Sequence, residues 1–171
     1  MLRAMTDDQA ARYLGLLGIE ARPPSRAALA ELVAAHLARV PFENVTKLLA
    51  HGRGQAPGAP ACDRFLDGVE HANLGGTCFA CGFHVHDLLA HLGYDVSLCG
   101  AAMAQPDVHV VNVVRVDGRE WLVDVGYGAP LAAPLPLDAD EPVTAAVLGR
   151  DRWVLRPGDG GTVSGRNSRL V

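Results

Sequence analysis

The hydrophobic and polar positions divide the chain into a helical first half and a strand-rich second half. Apolar residues recur at helical spacing over residues 6–17, between a capping-box sequence and Gly18. A second helical run follows Ser25, places His36 on its apolar face as a core residue, and ends before Pro41. The pattern then predicts a turn of helix through Leu49, a loop over residues 51–61 and a short helix over residues 63–69.

Residues 75–93 form the segment around which both halves are arranged. Two glycines allow a tight turn directly before Cys78, and a helical run follows that ends at Gly93. Stepping 100° per residue places most apolar residues of the run near Cys78, and places His84 on the opposite side. Cys78 is therefore predicted in the first turn of a helix, on its inward face, where the helix dipole favours a thiolate. The alternative is that Cys78 packs as a small hydrophobic residue, as most buried cysteines do.

The second half is predicted to form strands over residues 94–103, 109–116 and 120–127. A proline-rich connection follows over residues 130–142, then a strand over residues 151–156 and a glycine-rich polar tail expected to be disordered. Helices followed by strands predict an α+β chain, with an N-terminal helical bundle packed on a small antiparallel sheet or partial barrel. We expect residues 1–93 to form a helical domain and residues 94–171 a β domain.

The sequence Asp117-Gly118 predicts a two-residue hairpin that fixes the pairing of the strands on either side. In that register His109 faces Gly126, and Asp124 becomes the diagonal neighbour of His109, with Cα atoms about 7–8 Å apart. Asp124 lies in an apolar run, where a carboxylate is costly unless it is paired. It either bonds local backbone or holds His109, and a histidine held by a carboxylate can activate a cysteine nucleophile.

Composition narrows the class of protein. The chain has 171 residues, of which 49% are hydrophobic and 20% charged, and its net charge is −4. This charge argues against nucleic acid as the main partner. We find no apolar run long enough to span a bilayer and no signal peptide, and therefore expect a soluble, cytoplasmic protein without membrane association. The four cysteines are not expected to form structural disulfides in a reducing cytosol.

Three stretches together resemble the arylamine N-acetyltransferase family. They are Val-Pro-Phe-Glu-Asn-Val at residues 40–45, Gly-Gly-Thr-Cys-Phe at residues 75–79 and the segment of residues 116–128, which contains the aspartate. The resemblance implies a cysteine-protease-like core and acyl transfer by a ping-pong mechanism, from a thioester donor through a cysteine thioester to an amine. It implies a catalytic triad and three substrate-binding residues: Cys78, His109 and Asp124, and Phe42, Gly126 and Tyr127.

The resemblance also implies the partners and shows departures from the family pattern. The donor would be acetyl-CoA or another acyl thioester, including an acyl carrier protein, and the acceptor a small-molecule amine. We expect no permanently bound cofactor and no metal, and leave a homo-oligomer open. Leu74, Ala80 and Gly82 stand where the family usually has Arg, Glu and Asn. The chain ends where the family begins a C-terminal region, which we expect to leave Cys78 open.

Three other functions are compatible with these residues. A cysteine hydrolase or thioesterase would use the same triad with water as the acceptor. A metal or redox protein would use Cys78, Cys81, His84 and His86, although no second Cys/His pair has zinc-finger spacing. A non-catalytic relative would keep the fold and lose the reactivity of Cys78.

Overall fold

The computed structural model describes residues 4–56, 58–102, 108–126, 131–141, 143–148, 151–156 and 164–169. Within them, five helices precede seven strands. The helices are α1 (Asp7–Leu17), α2 (Arg26–Arg39), α3 (Val45–Gly52), α4 (Cys62–Ala72) and α5 (Cys78–His91). The strands are β1 (Asp95–Ala101), β2 (His109–Val116), β3 (Arg119–Val123), β4 (Leu135–Pro136), β5 (Val143–Leu148), β6 (Asp151–Arg156) and β7 (Ser164–Arg169). None of the described helices is both long and apolar enough to cross a bilayer.

The ends of the first helices follow local capping chemistry. Thr6 and Gln9 form the predicted capping box of α1, and Gly18 ends the helix in the left-handed region with φ 70°. Ser25 caps α2, and the helix stops before Pro41, as predicted. The loop prediction was wrong at its start, because α3 continues to Gly52.

One hydrophobic core joins α1, α2, α4 and α5 to the first sheet. Side chains of α1, α2, α4 and α5 pack in the same buried cluster as Val114 of β2 and Trp121 and Val123 of β3. Val85 and Leu89 of α5 are fully buried in it. The predicted α+β class, with helices packed on an antiparallel sheet, is therefore confirmed. The division at residue 93 into two domains stays a prediction.

The first sheet has the strand order β1-β2-β3-β4, and all its pairings are antiparallel. Val116 pairs with Arg119 across the hairpin, which confirms the predicted register. Asp117 and Gly118 have φ of 54° and 73°, as a type I′ turn requires. Strand β3 ends at Val123, short of the predicted residue 127, so Asp124 follows the last paired residue.

A second antiparallel sheet has the order β5-β6-β7. Its strand β6 was predicted over the same residues, whereas β5 was missed. The expectation of a disordered tail was wrong for Ser164–Arg169, which pairs along its whole length with β6. Strand pairing uses backbone groups that every residue here possesses, so a polar, glycine-containing segment can pair without an alternating apolar pattern.

Candidate active site

The turn before α5 is held against the chain segment that follows α2. Phe42 and Gly76 form a parallel bridge, in which the Glu43 N–H donates to the Gly76 carbonyl at 3.0 Å. The Glu43 carboxylate also accepts a 3.1 Å hydrogen bond from the Gly75 N–H. A Cβ at Gly75 would collide with the carbonyl oxygen of Pro41, so only glycine permits this close approach. The first two family-like stretches of the sequence thus form one joined structure.

Cys78 is the first residue of α5, directly after the N-cap Thr77. Its side chain is half-buried, and its Sγ lies 4.0 Å from the carbonyl oxygen of Val108, the residue before β2. The position at the helix start agrees with the prediction, and unpaired N–H groups with the positive end of the dipole stabilise negative charge there. Val85 and Leu88, which lie on the same side of α5 as Cys78, are fully buried.

His84 was predicted on the side of α5 opposite Cys78, but that side is covered as well. The imidazole is buried and stacks on Phe65 of α4, with ring centroids 4.2 Å apart. Burial lowers the pKa of His84 from 6.5 to about 4. Helix α5 therefore lies between the first sheet and α4, and helical periodicity alone could not show that both of its faces have a partner.

His109 and Asp124 form a buried pair. The His109 Nε2 lies 2.9 Å from Asp124 Oδ2, and the two side chains are only 6% and 7% exposed. The other carboxylate oxygen, Oδ1, accepts a 2.9 Å hydrogen bond from the Gly126 N–H. Both predicted roles of Asp124 are thus present at once, since the carboxylate binds local backbone and orients the imidazole.

Gly126 is the point where Cys78 and His109 meet. A Cβ built on Gly126 would lie 2.6 Å from both Cα and Cβ of Cys78 and 3.2 Å from Cε1 of His109. Because one point lies 2.6 Å from Cys78 Cβ and 3.2 Å from His109 Cε1, the distance between these two atoms cannot exceed the sum of the two values. The structure brings Cys78, His109, Asp124 and Gly126 together from α5, β2 and the segment after β3.

The other predicted site residues lie as follows. Phe42 is 53% exposed beside the turn before α5, so it is not a core residue. Tyr127 lies outside the described residues. Cys81 is buried one helical turn from Cys78, and its S–H donates to the Gly76 carbonyl at 3.5 Å. Burial raises the pKa of the Cys81 thiol to about 12.

Across the described ranges, no group of three His, Cys, Asp or Glu side chains could hold a metal ion.

Sequence reasoning missed Asn112. This side chain of β2 is 1% exposed, and its Nδ2 donates a 3.1 Å hydrogen bond to the carbonyl oxygen of Gly82 in α5. The available signal was a polar residue in alternation with Val110, Val114 and Val116, on the strand face that should turn to the core.

A family model described as N-acetyltransferase matches residues 26–155, which is most of the chain. The chain belongs to the arylamine N-acetyltransferase family. This confirms the resemblance drawn from the three sequence stretches. Solved arylamine N-acetyltransferases share the α+β fold of this chain.

Individual family members show how far the likeness extends. The chain is 34% identical over 112 residues to the proansamycin X synthase of Amycolatopsis mediterranei, and the match covers 60% of this chain and 41% of that one. It is 32% identical over 145 residues to an arylamine N-acetyltransferase of Mycolicibacterium smegmatis, and the match covers 74% of this chain and 50% of that one. The solved arylamine N-acetyltransferase of Nocardia farcinica superposes with a TM-score of 0.69 and 28% identity over 90% of this chain and 56% of that one. The chain spans half or less of the length of these two curated relatives.

Proposed function

We propose that this protein is an acyltransferase that carries an acyl group on Cys78 from a thioester donor to an amine. The observation that supports the proposal is that Gly126 lies close to both Cys78 and His109, whose imidazole is hydrogen-bonded to Asp124. A cysteine at a helix start, a histidine and a carboxylate are the groups that thioester exchange requires.

Each residue of the group has a distinct role in this reaction. Asp124 accepts the hydrogen bond of His109 Nε2–H and stabilises the imidazolium, while Nδ1 takes the proton of the Cys78 thiol. The thiolate attacks the donor carbonyl, forms a thioester on Cys78 and releases the donor thiol, which takes the proton from His109. The amine then attacks this thioester, its proton passes to His109, and Cys78 returns as a thiolate that the imidazolium reprotonates.

The surroundings of Cys78 fit apolar substrates. Phe42, Phe79 and Val108 are all exposed, and they lie respectively beside the turn, next to Cys78 and next to His109. These side chains offer apolar walls for an acyl chain or an aromatic amine. We extend this proposal to Tyr127 by family similarity. The donor would be acetyl-CoA or another acyl thioester, used as a co-substrate rather than held as a permanent cofactor, in the cytoplasm.

An arylamine acetylation assay with acetyl-CoA tests the proposal. We expect Cys78→Ser, His109→Gln and Asp124→Asn each to lower the transfer rate by about 10³-fold or more, since each removes a different part of one unit. Cys99→Ser is the matched control, because this half-buried cysteine of β1 has no part in the mechanism. Equal rates for Cys78→Ser and Cys99→Ser would contradict the proposal.

A thioesterase is the second candidate, and the exposed Phe79 and Val108 beside Cys78 favour it, because an open site admits water. The partition of products decides between the two functions. If increasing arylamine concentration diverts the acyl group from free acid to amide, the protein is a transferase. If the amine leaves the rate of acid formation unchanged and no amide forms, the protein is a hydrolase.

A further inference from the structure

We propose that Asn112 is a positioning residue, which fixes α5 against β2 and thereby sets the approach of Cys78 to His109. The inference rests on the proposed function, since it concerns the same pair of side chains. The hydrogen bond of Asn112 goes to neither of them but to the carbonyl oxygen of Gly82. It would act through Gly82, which lies one helical turn after Cys78 in α5.

The hydrogen bond of Asn112 is not needed to satisfy the helix. The Gly82 carbonyl lies inside α5, where carbonyls of a regular helix already accept an N–H from the residue four positions later. The 3.1 Å bond from Asn112 Nδ2 is an additional one, made between elements. The bond therefore fixes the position of α5 relative to β2, and the backbone of α5 does not need it to satisfy the Gly82 carbonyl.

Burying this amide carries a cost in stability. Asn112 is 1% exposed, and its Oδ1 has no hydrogen-bond partner among the residues that the structure describes. On the same strand face, Val110 and Val114 show that apolar side chains suit this environment. A buried polar group with one unpaired atom is therefore not explained by stability. Fixing the relative position of two packed elements is a well-attested use of such groups.

Gly82 contacts β2 at a second point. A Cβ on Gly82 would lie 2.9 Å from Cγ2 of Val110, the residue after His109. The missing side chain thus allows the helix to lie close to the strand, and the bond to Asn112 determines where along the strand it lies. Valine side chains tolerate sliding, whereas a hydrogen bond loses strength within a fraction of an ångström or a few tens of degrees. The first turn of α5 is therefore held at both ends. Gly126 lies against Cys78 at its start, and Asn112 and Val110 lie against Gly82 at its end.

The test uses Asn112→Leu, which removes the hydrogen bond and the unpaired oxygen together and keeps the branching of the side chain at Cγ. We expect an unchanged or higher midpoint of urea unfolding. We also expect the alkylation of Cys78 by iodoacetamide at pH 7, mapped by peptide mass, to slow by about tenfold. Acetyl transfer should fall by about 10-fold to 100-fold in kcat with little change in KM, as for a misplaced nucleophile. Asn112→Val serves if the leucine variant does not fold.

Tyr13→Phe is the matched control, because it removes another buried hydrogen bond, to His36 at 2.9 Å, between α1 and α2. It should lower stability without slowing the alkylation of Cys78. Wild-type alkylation and kcat in a folded Asn112→Leu variant would overturn the inference, as would equal slowing in both variants. If the wild-type protein transfers no acyl group but Asn112→Leu still slows alkylation, the proposed function fails and the positioning role stands.

Discussion

The substitution Gly126→Ala is the sharpest perturbation of the candidate site. Gly126 does not have the left-handed backbone conformation, so alanine adds a methyl group without backbone strain. That methyl would lie 2.6 Å from Cα and Cβ of Cys78, where ordinary contact begins at 3.4 Å. It would also lie 3.2 Å from Cε1 of His109, which is tight but can relax.

The magnitude follows from the overlap with Cys78. Relief requires a separation of about 1 Å between the segment after β3 and the start of α5, and a misplacement of that size in an active site costs about 10²-fold in rate. Overpacking of this kind also costs about 1–3 kcal/mol of stability. Because Asp124 accepts the Gly126 N–H, the shift would also disturb the carboxylate that holds His109.

The assay compares kcat for acetyl transfer and the urea midpoint of Gly126→Ala with those of Gly15→Ala. Gly15 lies inside α1 with nothing within 4 Å of its added Cβ, so the control should gain about 1 kcal/mol of helix stability and keep its rate. We expect only Gly126→Ala to lose activity. A Gly126→Ala enzyme with wild-type kcat would refute the reasoning, since it would mean that Cys78 and His109 need not meet at this point.

Two further predictions follow from the buried titratable groups. Burial lowers the pKa of His36 to about 3 and that of His84 to about 4, so the unfolded chain takes up these protons first as the pH falls below 6.5. Urea titrations should therefore show about 4 kcal/mol less stability at pH 5 than at pH 7.5, and an unchanged free energy of unfolding would be evidence against neutral buried histidines. Burial also raises the pKa of Cys81 to about 12 and that of Cys62 to about 11, so peptide mapping after iodoacetamide at pH 7 should find Cys78 modified well before either. Faster alkylation of Cys81 would show that the first turn of α5 opens.

The parts of the site that the sequence predicted depend on local rules. The turn Asp117-Gly118 has its own backbone preference, which fixes the register of β2 and β3 and so brings Asp124 near His109. Cys78 could be placed because two glycines and a helical run define where α5 begins. Each of these inferences needed only a short stretch of sequence.

The parts that were missed depend on contacts between distant elements. His84 is buried because α4 supplies Phe65, and nothing in the period of α5 indicates that neighbour. Strand β7 pairs through its backbone with β6, so its polar composition was misleading. Asn112 matters through the Gly82 carbonyl that lies across from it, and residue type alone does not show which helix residue that is.

The most direct test of the account is the mass of the intact protein after mixing with acyl donors in the absence of an amine. Acetyl-CoA, longer acyl-CoAs and an acylated carrier protein should be tried in parallel, with Cys78→Ala as the control. We expect one acyl group per chain from at least one donor, located on the peptide that contains Cys78, lost in Cys78→Ala and released when an arylamine is added. A folded protein that gains no acyl group from any of these donors, or gains it equally in Cys78→Ala, would contradict the account.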